Sequence, residues 1–257
     1  MKRLQVLLAT LFCLACATLP GQRTQTSLDL SGGYTRADYQ ATCSNQRQVV
    51  DLAQGTLAVR HERENGLALG GNVGAQRETL VAAQNVPNVA VGDTHWNVLG
   101  GGWVGWHGRW WASDLGLSLG GTRPTPIPYF AVRGGDLSLV WGEAQLGSVS
   151  PTSDPRMAAA GVGFRIDSIT LHPYVAVAAP LLSVFPRDTL DVANGKAVVG
   201  LDVGGNLSDR IGFGLRLMGG ETAAGYLTLS LLLDRDERAD EREGEPLPQE
   251  ATGSLEP

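Results

Sequence analysis

Apolar and polar residues alternate in short segments along most of the chain, and a period of two is typical of strands with one apolar face. Segment 210–218 shows this most clearly, because Ile211, Phe213 and Leu215 share one face while Gly212 and Gly214 share the other. Helical periodicity is not sustained beyond the N-terminal residues. The alternation predicts an all-β chain of about twelve strands, near 26–36, 48–62, 67–79, 94–106, 109–120, 128–133, 137–147, 157–166, 169–182, 196–206, 210–218 and 223–234.

The connections between these segments alternate between long and tight. Pairs such as Asn65-Gly66 adopt positive φ at low cost and therefore predict hairpin turns. The segment from Gly219 to Thr222 is short where a long loop is due. Long loops at one edge and tight turns at the other predict an antiparallel, up-and-down transmembrane β-barrel. The predicted long loops are 37–47, 80–93, 121–127, 148–156 and 183–195, and the tight turns are 64–66, 107–108, 134–136, 167–168 and 208–209.

The N-terminus has the pattern of an export signal. Lys2 and Arg3 precede an almost continuous apolar run from Leu4 to Ala17, which is too short for a membrane-spanning helix. Small residues before position 18 predict cleavage after Ala17, so residues 1–17 are read as a signal peptide. The alternative is lipidation of Cys16, which would make the chain a periplasmic or surface lipoprotein.

The charge of the chain is concentrated at its C-terminus. The formal net charge is −6, and most of the acidic excess lies in residues 235–257, which are also poor in apolar residues. This composition predicts a disordered acidic tail. The preceding barrel domain, residues 18–234, is nearly neutral and lacks the basic stripe of a nucleic-acid-binding protein.

Alternation alone does not decide whether the apolar face contacts lipid or the core of a soluble protein. Three features favour lipid, and the third is the set of tryptophans near the ends of apolar stretches. The polar face is mostly Gly, Ser, Ala and Asn, which suits a crowded interior, and several strands are long enough to cross a membrane when tilted. The alternative is a soluble or lipid-anchored β-barrel or sandwich. Candidates for an interfacial aromatic girdle, near the ends of apolar stretches, are Trp96, Trp106, Trp111 and Trp141.

If the apolar face points outward, the opposite face lines a lumen. Charges of both signs on that face predict either ion pairs that fill the interior or a weakly selective pore. The many glycines permit two outcomes, since they either leave space for water or let the walls pack closely. The lumen-facing candidates are Asp29, Arg60, Glu62, Asp114, Arg133, Arg165, His172, Asp202 and Arg216.

The export signal, the alternation over residues 26–234 and the loop asymmetry together resemble the bacterial outer-membrane β-barrel class, with a porin-like architecture and no particular family. The resemblance implies a place in the outer membrane of a Gram-negative cell, contact with outer-membrane lipid, and insertion by the outer-membrane assembly machinery. One departure is that such barrels usually end at an aromatic residue, whereas this chain continues past Leu233.

The function that follows is passive passage of small solutes or a structural role in the membrane. The alternative is a binding domain carried by a lipoprotein. The histidines His61, His95, His107 and His172 form no recognisable set with a nucleophile, and Cys/His metal spacings are lacking. We therefore expect no enzymatic activity, no metal or other cofactor, and no nucleic-acid partner.

Overall fold

The computed structural model describes residues 24–40, 46–85, 90–120, 126–150, 154–178 and 196–235, and they form twelve strands. Within these ranges, no helix is long and apolar enough to cross a membrane. The strands are β1 Gln25–Gln40, β2 Arg47–Glu62, β3 Leu67–Gln84, β4 Thr94–His107, β5 Trp111–Gly120, β6 Ile127–Asp136, β7 Val140–Leu146, β8 Arg156–Ile166, β9 Ile169–Ala178, β10 Lys196–Asn206, β11 Ile211–Gly220 and β12 Ala223–Arg235.

The strands close into one antiparallel barrel. Each strand pairs with its neighbours in the sequence, and β1 completes the circle by pairing with β12, for example Gly33 with Tyr226. Closure leaves no free strand edge, so the backbone amides can pair within the sheet, as a hydrocarbon environment requires. The predicted fold class and the number of strands are confirmed.

Some predicted boundaries are wrong. Residues 134–136, predicted as a turn, are the end of β6, and the turn lies at 137–139. His107 was also placed in a turn, but it is the last residue of β4. The prediction of a turn at 134–136 followed from the preference of glycine and aspartate for turns. In the structure, however, Gly135 pairs with Trp141 inside the strand ladder. The predicted signal peptide 1–17, residues 236–257 of the predicted tail, and the loop 183–195 lie outside the described residues.

The apolar face of the strands points outward. Leu30, Leu115 and Val175 are each about 60% exposed, and they alternate with buried or half-buried neighbours along their strands. On β11, Leu215 and Leu217 also lie outside. An apolar surface that encircles the whole barrel is the arrangement of a transmembrane barrel, since a soluble barrel buries this face inside.

Aromatic side chains border the outward apolar surface. Trp96 lies near the long-loop end of β4, whereas Trp106 lies near the tight-turn end and contacts Trp111, with ring centroids 4.5 Å apart. The distance from Trp96 to Trp106 along β4 spans ten residues. At about 3.4 Å per residue and a tilt of about 40°, the two levels are roughly 26 Å apart. This agrees with the apolar band of outer-membrane barrels, which is about 25 Å tall.

Several inward-facing glycines are covered by aromatic rings from the neighbouring strand. A Cβ on Gly33 would lie 2.0 Å from the ring of Tyr226, and one on Gly163 would lie 2.1 Å from the ring of Trp141. The glycines therefore make room for rings that fill the interior near the wall, rather than leaving open space. The same relationship joins Gly70 to Trp103 and Gly200 to Tyr174.

The strands differ greatly in length at the long-loop end. Strands β1, β2 and β3 have 16, 16 and 18 residues, whereas β7 has 7. The inner face of the long strands carries a small apolar cluster formed by Ala37, Val50, Leu52 and Leu80. The barrel wall is therefore tall at β1–β3 and low at β7, where the chain leaves the sheet.

Candidate functional site in the barrel lumen

The structure places the predicted lumen residues on the inward faces of their strands. Arg165 shares the inward face of β8 with Gly163, but it is exposed next to the end of the strand and belongs to neither ion cluster described below. Asp29 shares the inward face of β1 with the buried Ser27 and Thr35. The remaining inward-facing candidates divide into two clusters, and they are Arg60, Glu62, Asp114, Arg133, His172, Asp202 and Arg216.

The first ion cluster, here called the turn-end cluster, lies near the tight turns and consists of Arg60, Glu62, His107, Asp114 and Arg133. Arg60 Nη2 donates to Glu62 Oε2 at 2.6 Å, and Arg133 Nη2 donates to Asp114 Oδ2 at 2.6 Å. His107 joins the two pairs, with Nδ1 3.1 Å from Arg60 and Nε2 2.7 Å from Asp114. The cluster links four strands, β2, β4, β5 and β6.

An aromatic ring supports the turn-end cluster. The Trp103 ring is stacked on His107 with centroids 5.9 Å apart, and Arg60 Cζ lies 5.8 Å from the Trp103 centroid. Trp103 has room to lie along the wall because Gly70 has no side chain. The guanidinium and the imidazole are therefore held against a rigid apolar surface as well as against carboxylates.

The second ion cluster, here called the central cluster, consists of Asp154, Arg156, His172, Asp202 and Arg216. Arg216 donates to both carboxylate oxygens of Asp202 at 2.9 Å and lies 3.2 Å from Asp154. Arg156 donates to both oxygens of Asp154 at 2.7 Å. His172 Nδ1 lies 4.0 Å from Asp202. Two-point contacts of this kind fix the direction of each side chain.

A third polar group lies nearer the long-loop end and was not predicted. Glu78 accepts hydrogen bonds from Gln76 at 2.6 Å and from Asn97 at 3.0 Å. Gln54 donates to Gln76, and it accepts from the hydroxyl of Tyr226 at 3.2 Å. The polar neighbours Arg77 and Thr79 flank Glu78, so the alternation is obscured on this part of β3, and the amides of Gln54, Gln76 and Asn97 carry no charge that would indicate a site.

The connection between β7 and β8 folds into the lumen. Residues 147–150 and 154–155, here called the inward segment, contact the wall of β3, β4 and β5. Ser118 Oγ donates to the carbonyl of Ser148 at 2.8 Å, and Asn72 Nδ2 donates to the carbonyl of Val149 at 2.9 Å. Between these contacts, a Cβ on Gly101 would lie 2.1 Å from the Val149 carbonyl.

Asp154 attaches the inward segment to the other side of the barrel. It contacts Arg216 on β11 as well as Arg156, and Gln145 Nε2 lies 3.3 Å from its Oδ2. Burial alone would raise the pKa of Asp154. The guanidinium groups of Arg156 and Arg216 outweigh this effect and hold the pKa of Asp154 below its usual value. The inward segment therefore bridges β3–β5 and β11 through a charged anchor.

The tryptophans occupy both sides of the wall. Trp96 and Trp111 are 67% and 40% exposed on the outer surface, and Trp106 contacts Trp111 there. Trp141 was predicted at the membrane interface, but its ring is buried against Gly163 on the inner side. Trp141 shares the inward face of β7 with Glu143 and Gln145, so alternation indicated an inward side chain, and the position near the end of an apolar stretch misled the prediction. Trp110 was not predicted, and it is exposed in a tight turn beside Arg109.

A closed antiparallel barrel, an outward apolar band and a charged lumen define the fold of the outer-membrane β-barrel class, and the comparisons agree with that fold. No protein-family model and no curated protein matches the chain. Among solved structures, an outer membrane channel from Pseudomonas putida F1 aligns with 84% of this chain and 98% of its own chain, with a TM-score of 0.52 and 9% identity.

Two further solved structures align less well. The KdgM porin covers 80% of this chain and 98% of its own, with a TM-score of 0.48 and 9% identity. The alignment with outer membrane phospholipase A from Escherichia coli covers 84% of this chain and 93% of the phospholipase chain, with a TM-score of 0.37 and 10% identity. At these identities the similarity concerns the fold, so the function has to be argued from the lumen itself.

Proposed function

We propose that the chain is an outer-membrane pore for the passive passage of small solutes. The observation that carries the proposal is the charged lining of a twelve-stranded lumen, formed by the turn-end cluster and the central cluster. Burying this many charged side chains in a dry apolar core would cost much free energy, whereas charged side chains beside a water path stay hydrated.

The number of strands supports a lumen wider than that of the smallest barrels. With strands about 4.8 Å apart and tilted by about 40°, a twelve-stranded barrel measures roughly 24 Å between opposite backbones. Side chains alone fill an eight-stranded barrel of the same kind. Twelve strands therefore leave space beyond the side chains of the two walls.

The charges of the lining predict weak ion selectivity. In the central cluster, Asp154 and Asp202 balance Arg156 and Arg216. A filter for one sign of ion needs a ring of like charges, whereas paired charges of both signs cancel at a short distance. Neutral and small charged solutes are therefore the proposed cargo.

Planar-bilayer recording of the purified, folded protein tests the proposal. We expect discrete conductance steps with a permeability ratio for K⁺ and Cl⁻ close to one. Liposomes that contain the protein should also swell in solutions of small sugars. Correctly folded protein that inserts into the bilayer without any conductance would overturn the pore and leave a structural role.

We also propose that the protein is not an enzyme. Thr26 Oγ1 and His61 Nδ1, which lie 3.0 Å apart, form a hydroxyl–imidazole pair. This pair lies on the lipid-facing side, and no carboxylate among the described contacts orients its imidazole. A hydrolase would need such an orienting group. Assay of the folded protein against phospholipid and ester substrates should give no turnover above that of a His61→Ala variant.

Export and membrane insertion complete the proposal. Residues 1–17 are removed as a signal peptide, the barrel inserts into outer-membrane lipid through the assembly machinery, and residues 236–257 stay outside the barrel as a tail. Mass spectrometry of the mature N-terminus tests cleavage after Ala17 against lipidation of Cys16. Deletion of 238–257 should leave folding and insertion unchanged, because these residues have no apolar face to bury.

A further inference from the structure

We propose that solutes cross the turn-end half of the lumen along one wall, and that Asp29 sets the ion preference of this route. The inference rests on the proposed pore function and assigns its path and a residue that controls selectivity. The wall lies on the inner face of β10, β11, β12 and β1, between the central cluster and the tight turns. It is here called the bare wall and consists of Ser31, Gly204, Gly212, Gly214, Thr228 and Ser230, with Asp29 at its edge.

The side chains of the bare wall are all small. A Cβ on Gly214 would lie no closer than 3.5 Å to a neighbouring atom, and one on Gly212 no closer than 3.4 Å. The hydroxyls of Ser31 and Thr228 lie 2.8 Å apart, so they stay close to the backbone. A larger side chain, that of Leu232, follows at the rim. The glycines of the bare wall therefore leave open space, unlike those that aromatic rings cover.

The bare wall is in contact with water in the lumen. The side chains of Ser31, Thr228 and Ser230 point inward and are half-buried. On the opposite side of the closed barrel, where β5 faces β11, the inward residues Ala112 and Asp114 are only 1% and 4% exposed. A side chain that points into a barrel is exposed only where the lumen is open. The open space therefore lies beside β10, β11, β12 and β1.

The turn-end cluster explains why the two sides differ. Its charged groups project from β2, β4, β5 and β6, and the Trp103 ring supports them from the wall. These side chains fill the half of the lumen into which they project. Opposite walls are roughly 24 Å apart, which is more than the side chains of one wall can span. A water-filled route therefore remains along the strands that carry glycine, serine and threonine.

Asp29 places an unpaired charge at the edge of this route. It lies on the inward face of β1, and among the described residues no ion pair or hydrogen bond engages its carboxylate. The carboxylates of the turn-end cluster are instead paired with guanidinium groups. A single charge acts across about 8 Å at physiological ionic strength, whereas a close pair of opposite charges cancels over that distance. Asp29 therefore attracts cations into the route and repels anions.

Thiol labelling tests the route without relying on conductance. Ser230→Cys places a thiol on the bare wall, and Ala112→Cys places one on the opposite wall, each in the mature protein with Cys43→Ser. A charged, membrane-impermeant methanethiosulfonate should modify Ser230→Cys at least ten-fold faster than Ala112→Cys, as followed by mass spectrometry. Both variants have to show the heat-modifiable gel migration of the folded protein. Equal rates in the folded variants would overturn the route.

A neutral substitution tests the role of Asp29. The reversal potential of Asp29→Asn in a salt gradient should show a permeability ratio of K⁺ to Cl⁻ at least two-fold lower than that of wild type. Glu64→Gln is the matched control, because it removes an equal charge from the exposed turn between β2 and β3. Its ratio should equal that of wild type. An unchanged ratio in Asp29→Asn, or an equal change in Glu64→Gln, would refute the role of Asp29.

A bulky side chain tests the route by obstruction. Gly214→Phe places a ring on the bare wall and should lower the single-channel conductance at least two-fold. Gly134→Phe adds the same ring on the outward face of β6, where nothing lies within 4 Å of the Cβ position. Its conductance should equal that of wild type. Folded Gly214→Phe that conducts like wild type would show that solutes do not pass along this wall.

The outcomes separate this route from the pore itself. If the wild type conducts but Ser230→Cys and Ala112→Cys react equally, the pore stands and the route is overturned. If the folded wild type is silent, the pore fails and the ion preference of Asp29 fails with it. The labelling rates then still decide whether the bare wall faces water, because they do not depend on conductance.

Discussion

The Tyr174 ring lies across Gly200 on the adjacent strand, so that a Cβ on Gly200 would lie 2.3 Å from Tyr174 Cζ. On its lumen side, the same ring carries the Arg156 guanidinium, whose Cζ is 4.5 Å from the ring centroid. A glycine in the wall therefore sets the position of a charged group in the central cluster through one intervening ring.

Gly200→Val should destabilise the folded barrel by about 1–3 kcal/mol, because a branched side chain in this position overpacks the interior. The urea midpoint of the folded, heat-modifiable form in detergent measures the effect. Gly134→Val is the control, since nothing lies within 4 Å of its Cβ position, and its midpoint should stay within error of wild type. Equal shifts in both variants would show that the Tyr174 contact is not the cause.

Leu115→Arg should destabilise the inserted protein by about 2–4 kcal/mol, because arginine is costly at mid-membrane depth on a lipid-facing strand. Leu207→Arg tests the same substitution in a tight turn, where it should cost little. The two leucines are 62% and 65% exposed, so a barrel in water would tolerate both substitutions equally. Unfolding in lipid vesicles separates these outcomes, and similar small effects would argue against a membrane barrel.

Arg216→Gln should shift the pore toward cations, since Asp202 and Asp154 then lose their shared positive partner. The reversal potential in a salt gradient reports the change, which we expect to be at least two-fold in the permeability ratio of K⁺ to Cl⁻. Arg36→Gln removes an equal charge beside Asp51 on the outer surface and should leave the ratio unchanged. A shift of the same size in Arg36→Gln would mean that overall charge, and not the lumen, sets selectivity.

Single-tryptophan variants should report which side of the wall each ring occupies. Trp96 faces outward, so its fluorescence should be quenched by lipids brominated near the headgroup. Trp141 is buried inside against Gly163 and should be protected. Quenching of Trp141 to the level of Trp96 would contradict the inward orientation of this ring.

Acid should release the inward segment only at low pH. The pKa of Asp154 is held below its usual value, because Arg156 and Arg216 outweigh the effect of burial. A lowered pKa contributes stability that is fully present above the unfolded value and is lost as the pH falls through the folded value. Conductance should therefore stay constant down to about pH 4, the usual value of an aspartate, and rise only below it.

Asp154→Asn supplies the control for the acid response. The amide does not titrate, and it cannot form the ion pairs with Arg156 and Arg216. Its conductance at neutral pH should already equal that of the acid-treated wild type, with no further rise on acidification. A response to acid that persists in this variant would assign the change to another group.

The sequence was sufficient for the number and order of the strands and for most of their faces, because a period of two specifies both whenever one face is apolar. It was also sufficient to place Asp202 and Arg216 on the same side of the wall. It did not reveal that they pair, since pairing depends on register, and the registers of β10 and β11 follow from their turn. Asp154 was hidden for a different reason. It lies in a connection without periodicity, and only the tertiary structure shows that this connection turns inward.

The unequal strand lengths give the mouth of the barrel a slope. Strands β1 to β3 extend past the level of Trp96, and their outer surface there carries Arg36 and Asp51, whereas β7 ends at Leu146. Large particles that approach along the barrel axis therefore contact the ends of β1 to β3 before they reach β7. Small molecules that pass over the short strand β7 reach the inward segment directly, beside Gly147, without first passing along the longer strands β1 to β3.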